Sequence, residues 1–149
     1  MTDLAAFAKL VPLDNGLCVF TTLRRDGSAQ ASVVNAGVLP HPADEQIEVI
    51  GLVAAGGSQK LRNLRADPRA TIVVRAGWQW AAVEGLAEII GPDDPHPNLD
   101  SESLRLLLQD VFRAAGGTHD DWDTYDRVMA EERRAAVLVV PRRASSVGP

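Results

Sequence analysis

Residues 17–39 contain two β-rich runs, LCVFTTLR and QASVVNAGVL, divided by Asp26-Gly27 within RRDGSA. An Asp-Gly pair readily adopts the positive backbone angles of a tight turn whose twist matches that of paired strands, so this stretch predicts an antiparallel hairpin. A lone hairpin is marginal in water, and further elements must cover its apolar side chains. The chain supplies them. After the turn PHPADEQ, IEVIGLVA alternates as a third strand; TIVVRA predicts a fourth and WQWAAVEGLAEII a longer fifth, with Gly85 at a bulge or bend. A sixth, AAVLVV, is expected to end before Pro141, leaving RRASSVGP as a loose tail. Short hairpin-linked strands with few helices favour a small closed or split antiparallel barrel of about six strands, a mainly β fold with helices (α+β).

Helical periodicity marks four other segments. LAAFAKL follows the capping candidates Thr2 and Asp3 and is closed by Pro12 and Asn15-Gly16. SQKLRNLRAD ends at Asp67-Pro68, because proline disfavours helix in its predecessor. In DSESLRLLLQDVFRAAG, the residues Leu104, Leu107, Leu108, Val111 and Phe112 share one face, and Gly116-Gly117 stops the run. HDDWDTYDRVMAEERR spaces Trp122, Tyr125 and Met129 by three and four, the pattern of core packing.

A chain of 149 residues, 46% hydrophobic and 23% charged, suits one domain spanning 1–149. No apolar run reaches membrane-spanning length, and MTDLAAFAKLVPL carries Asp3 without a basic leader, so neither a span nor a signal peptide is expected and a cytoplasmic location is. The net charge of −5 weighs against nucleic acid as a partner. Cys18, the single cysteine, sits in the apolar run LCVF and reads as a buried thiol. His41, His96 and His119 fall in separate segments without metal-ligand spacing, so they read as loop residues and no metal site is expected. G-x-S-x-G and G-x-G-x-x-G are both absent, which removes the sequence support for a hydrolase elbow or a Rossmann site. Asp120, Asp121 and Asp123 stand where carboxylates complement a helix dipole.

The motif with chemical content is GGSQKLRNL, residues 56–64. Glycines followed by Ser58 open a helix, and a serine hydroxyl there can accept the first orphan amide protons. The same helix start presents unpaired N–H groups and a positive dipole end, with Lys60 on its first turn. It reads either as a capped helix with a solvated lysine or as an anion site.

Taken in order, TTLRRDGSAQASVVNAGVL, GGSQKLRNLRADPRATIVV, WQWAAVEGLAEI and DDWDTYDRVMAEERRAAVLVV resemble the flavin and deazaflavin oxidoreductases of the pyridoxamine 5′-phosphate oxidase-like split-barrel superfamily. Nearly the whole chain is covered. The sequence looks most like the actinobacterial branch that uses the deazaflavin coenzyme F420, where a K-x-R-N-L-R-x-D-P-R-type run and a late W-x-x-Y-x-x-x-M-x-x-x-R-R run occur together.

This resemblance implies a homodimer with the cofactor at its interface. Backbone around Ser32, Val33, Val34 and Asn35 would lie along the tricyclic ring, with the Asn35 amide turned to the ring or to neighbouring backbone; these residues equally suit an ordinary barrel strand. Ser58, Gln59 and Lys60 would hold the cofactor's phosphate, with Arg62 and Asn63 assisting along its tail. Trp78 and Trp80 would form a partner-facing wall, or else simply pack as strand residues. The implied reaction is hydride transfer between reduced F420 and a conjugated small molecule, with no catalytic acid, base or nucleophile from the protein. Flavin mononucleotide (FMN) members often carry an arginine just before the lysine, where Gln59 stands here, which tilts the reading away from FMN. Two alternatives remain: an FMN-dependent enzyme of the same fold, and a non-catalytic binder of deazaflavin, haem or tetrapyrrole.

Overall fold

Six strands make up the sheet of the computed structural model, which describes residues 2–147: β1 (Leu17–Leu23), β2 (Ala29–His41), β3 (Asp44–Ala54), β4 (Arg69–Ala76), β5 (Gln79–Ile90) and β6 (Ala135–Ser146). The helices are α1 (Ala5–Leu10), α2 (Gln59–Ala66), α3 (Ser101–Ala114) and α4 (Trp122–Glu131). The N-cap of α1 is Leu4, not Thr2 or Asp3, and it makes no side-chain cap; Asp3, one residue earlier, accepts the Ala5 N–H at 2.7 Å through Oδ1. All strand pairs are antiparallel, and the order β1-β2-β3-β6-β5-β4 closes on itself through β4 and β1. The fold is α+β, and the expected barrel of six strands is present.

The first hairpin forms as the Asp-Gly pair predicts. Gly27 takes a φ of 85°, and the Ser28 N–H donates to Asp26 Oδ1 at 2.9 Å. The second turn is tighter than PHPADEQ implies, because β2 continues through His41 and only Pro42 and Ala43 separate it from β3. His41 Nδ1 accepts the Ala43 N–H at 3.0 Å and closes that turn.

β6 does not end before Pro141; it runs to Ser146, so RRASS is strand, and of the expected tail Gly148 and Pro149 lie outside the described residues. The reason lies in the pairing. β6 bonds to β3 only from Ala135 to Val139, and beyond that point it pairs with β5 alone. Pro141 therefore falls where one side of the strand has no partner, the place where a missing N–H costs least. Opposite it, the register shifts between Glu84 and Gly85, the predicted bulge. A Cβ on Gly85 would stand 2.1 Å from the Val140 carbonyl oxygen, so this close approach requires glycine.

Two apolar clusters share the strands. Phe20, Ile50, Leu52, Ile72, Val137 and Val139 fill the barrel, closed by Phe7 and Leu10 of α1 and by Leu61 and Leu64 of α2. Outside it, Val49, Ala136 and Leu138 pack against Leu107, Leu108 and Val111 of α3 and Tyr125 of α4, with Trp122 and Met129 at the margin. AAVLVV is apolar at every position because both faces of that segment are covered. The outer face of β1 and β2 is not covered. Val19 and Val33, directly paired, are 44% and 68% exposed, and Leu17 is 44% exposed. Among the described residues no helix is long and apolar enough to cross a membrane.

Candidate functional site

β3 leaves β2 after the Leu52–Ala36 pair and turns into α2. The turn is closed by the Ser58 N–H on the Ala55 carbonyl at 3.2 Å, with Gly57 at φ 76° in the left-handed region. Gly56 lies against the corner between α4 and β6: its N–H donates to the Glu132 carbonyl at 3.1 Å, and a Cβ would meet the Arg133 carbonyl oxygen at 2.7 Å. Both glycines of the motif thus have a steric reason.

Ser58 occupies the N-cap position with extended backbone, but its hydroxyl does not cap the helix as expected. Its Oγ is buried and has no hydrogen-bond partner. The first intrahelical bond runs from the Arg62 N–H to the Ser58 carbonyl at 3.3 Å, and among the described residues nothing accepts the N–H groups of Gln59, Lys60 and Leu61. Lys60 is partly exposed and has no ion-pair partner among the described residues.

The remaining α2 side chains are tied together. Arg62 donates through Nη1 to the Gly57 carbonyl at 2.6 Å and through Nη2 to Gln59 Oε1 at 2.8 Å. Gln59 Nε2 donates to Asn63 Oδ1 at 2.8 Å. Asn63, 5% exposed, sends Nδ2 to Thr22 Oγ1 at 3.1 Å and to Gln30 Oε1 at 2.7 Å. Arg62 and Asn63 therefore hold the turn and fix α2 to β1 and β2. Asn63 is buried, so its contribution is positional.

Along this face of α2 runs a cleft of about 510 Å3 lined by Arg24, Arg25, Gln59, Arg62, Asn63 and Ala66. Arg24 and Arg25 come from the first hairpin, where Arg24 Nη1 donates to the Ala29 carbonyl at 2.7 Å. The sequence reading missed both, although RRDG displays them; only the fold shows that the hairpin and α2 meet. Three guanidinium groups with no carboxylate in the lining make the cleft cationic in a chain of net charge −5.

From Ala29 to Asn35, β2 pairs only with β1, and its opposite edge has no strand partner among the described residues. Side chains here alternate: Ser32 and Val34 are half-buried, Val33 and Asn35 exposed. No single ligand face could meet all four side chains, whereas backbone at the open edge could follow a flat ring. Asn35 Nδ2 is held by the carbonyls of Asn15 at 2.6 Å and Ala115 at 3.3 Å, which fastens the start of β1 and the end of α3 to β2. Trp78 in the turn between β4 and β5 is 95% exposed, and Trp80 is 37% exposed. Trp80 pairs with Arg75, one residue beyond Val74, which pairs with Cys18; Asn63 bonds at Thr22. Trp80 is thus level with Leu17, five residues of β1 from Thr22, roughly 17 Å, so the tryptophans stand apart from the α2 cleft.

The histidines are not the isolated loop residues expected. His41 and His96 converge on Glu88, with Nε2 at 2.9 Å from Oε2 and 3.6 Å from Oε1. Each Nδ1 accepts a backbone N–H at 3.0 Å, from Ala43 and Asn98, so each ring carries its proton on Nε2, facing the carboxylate. A metal would need the Nε2 lone pair, so the cluster is a clamp between β2, β5 and the loop that follows. His119 joins the rings of Phe112, Trp122 and Tyr125, and none of the three histidines lines the cationic cleft. Asp121 caps α4, accepting the Thr124 N–H at 3.1 Å and hydroxyl at 2.6 Å, bonds that hold its carboxyl below the usual range.

The site's donor set is suited to a phosphate: open first-turn amides, an orphan hydroxyl, an unpaired ammonium and nearby guanidinium groups. The family model for pyridoxamine 5′-phosphate oxidase matches residues 5–115. Among solved structures, a conserved hypothetical protein from Mycobacterium tuberculosis is similar at 24% identity and TM-score 0.66, covering 98% of this chain and 84% of that one. A protein described as an F420 reductase is similar at 19% identity and TM-score 0.61, covering 92% and 94% of the two chains. A pyridoxamine 5′-phosphate oxidase-related, FMN-binding protein from Nostoc punctiforme is similar at 12% identity and TM-score 0.68, covering 98% and 84%. With the family model matched over residues 5–115, most of the length, the chain belongs to the pyridoxamine 5′-phosphate oxidase family of split barrels.

Proposed function

We propose that this protein is a cytoplasmic, homodimeric oxidoreductase of one domain that binds coenzyme F420 and transfers hydride between its reduced form and a conjugated organic small molecule. The observation that carries the reading is the start of α2, where, among the described residues, Ser58 Oγ and three amide groups lack partners beside an unpaired Lys60. An anion seated there would meet backbone N–H groups, the helix dipole and one full charge. The Lys60 contact alone is worth about 1.5–3 kcal/mol as a charge-assisted bond.

In this reading Ser58, Gln59 and Lys60 hold the phosphate, while Arg62 and Asn63 keep the turn and α2 in place. The open edge of β2 from Ser32 to Asn35 lies along the ring, and Asn35, its Nδ2 already engaged, acts through backbone and Oδ1. Trp78 and Trp80 reach the cofactor of the partner protomer, since they stand away from their own α2 cleft. When bound, the deazaflavin supplies the hydride chemistry, and the protein contributes position, orientation and exclusion of water. Gln59 supports F420 over FMN, because its side chain is engaged with Arg62 and Asn63 and places no additional cation on the phosphate.

An anaerobic assay of reduced F420 with a panel of enones and tetrapyrroles tests the catalytic part. Oxidation of the cofactor dependent on one of these acceptors is the expected result. Tight F420 binding without turnover across the panel would replace the enzyme with a deazaflavin carrier.

A further inference from the structure

A second cleft, of about 470 Å3, lies between α3, α4 and the loop after β5. Leu104, Leu108 and Met129 give it an apolar wall, and Arg105, Arg133 and Arg134 stand at its rim. The three arginines differ in what they have left to donate. Arg105 engages all three of its nitrogens, with Nε and Nη2 on Glu102 and Nη1 on Asp126 at 2.8 Å. Arg133 uses Nε and Nη2 on Asp93, and Arg134 uses only Nε, on Glu132 at 3.0 Å. Among the described residues Nη1 of Arg133 and both Nη groups of Arg134 have no acceptor. Glu102 and Asp126 also line the cleft, both bound by Arg105, whereas Asp93 and Glu132 do not.

The backbone at Arg133 adds an independent observation. α4 ends with the Arg134 N–H on the Met129 carbonyl at 2.9 Å and the Arg133 N–H on the Ala130 carbonyl at 3.1 Å, which puts Arg133 in the left-handed region at φ 49°. α3 ends in the same pattern, but with Gly116 in that position at φ 91°. Glycine is the residue this motif favours, and any other bears a conformational cost. The chain carries an arginine where its backbone calls for glycine, and the side chain that results reaches the cleft rim.

We propose that this cleft binds a single amphipathic organic acid, its carboxylate on the uncommitted N–H groups of Arg133 and Arg134 and its aliphatic body against Leu104, Leu108 and Met129. The volume is that of a small-molecule site, and guanidinium groups with uncommitted N–H donors in its lining favour a carboxylate by charge and by fork geometry. Arg133 packs against Gly56 of the GGSQK turn, but the cleft shares no lining residue with the α2 cleft, and the proposal does not depend on the cofactor assignment.

Octanoate is the probe, titrated calorimetrically into the full-length protein, with 1-octanol and octylamine as controls. Saturable one-site binding of octanoate is expected, with no saturable binding of either control. Arg133→Gly and Arg134→Gln should each weaken it at least tenfold, while Lys60→Ala leaves it unchanged. Arg133→Gly relieves the left-handed backbone, so its melting temperature reports whether the fold stands; if that falls, Arg134→Gln decides. Absence of saturation, wild-type affinity in Arg134→Gln, or octanol binding as tightly as octanoate would overturn the proposal.

Discussion

Among the described residues Lys60 and the Ser58 hydroxyl meet no partner at the start of α2, so the effect of removing Lys60 divides between binding and folding in a diagnostic way. Lys60→Ala should weaken F420 binding about tenfold or more, the equivalent of one charge-assisted bond of about 1.5–3 kcal/mol. The melting temperature should hardly move, since surface changes of this kind stay within about 0.5 kcal/mol. Fluorescence titration of both proteins at two salt concentrations checks this, because loss of an ionic contact also flattens the salt dependence. Cys18 behaves oppositely. Burial pushes its thiol up to about 12. The unfolded thiol titrates near about 8.5. The fold therefore favours the neutral form, and that stabilisation is complete below the unfolded value and lost as pH rises toward the folded one. Denaturation midpoints should fall between pH 9 and 12 in the wild type by more than in Cys18→Ala. At this scale the sequence displayed the anion turn and the buried thiol, but not their neighbours. Arg24 and Arg25 join α2 only because the hairpin folds beside it, and His41 and His96, far apart in sequence, meet on Glu88 through β2, β5 and a loop. Side chains brought together by tertiary structure leave no local pattern to read.

Local chemistry governed the elements themselves. The Asp26-Gly27 hairpin, the Gly85 bulge and the α3 stop at Gly116 form where backbone requirements demand those residues. Expectation failed where tertiary context relaxes a local rule. Pro141 predicts a strand end by the local rule, yet β6 passes through it because β3 no longer pairs there. Ser58 has the sequence position of a cap, yet its buried hydroxyl makes no cap bond and leaves the first-turn amides open. The bulge offers a direct test. Gly85→Ala places a methyl group 2.1 Å from the Val140 carbonyl oxygen, a backbone atom that cannot step aside as a side chain would. A loss of about 3 kcal/mol is expected, at the upper end of overpacking costs. Urea denaturation with an unchanged m-value and a lowered midpoint would register it.

On the scale of the molecule, the barrel exterior is divided. α3 and α4 cover β3 and the start of β6, while Leu17, Val19 and Val33 remain exposed in a sheet that has no ordinary side-chain reason to be apolar there. In the proposed dimer a second protomer on this face would account for the exposure and would bring Trp78 and Trp80 toward the other chain's α2 cleft. Val33→Glu should accordingly give a monomer in sedimentation at micromolar concentration and lower F420 affinity as well. A dimer that persists in this variant would move the interface elsewhere. The central claim is the cofactor, and one titration addresses it directly: purified protein against F420 and against FMN, followed by tryptophan fluorescence under the same conditions. Saturable F420 binding at least tenfold tighter than FMN is the predicted result. FMN binding as tight as or tighter than F420, or a protein that purifies yellow with retained flavin, would contradict it.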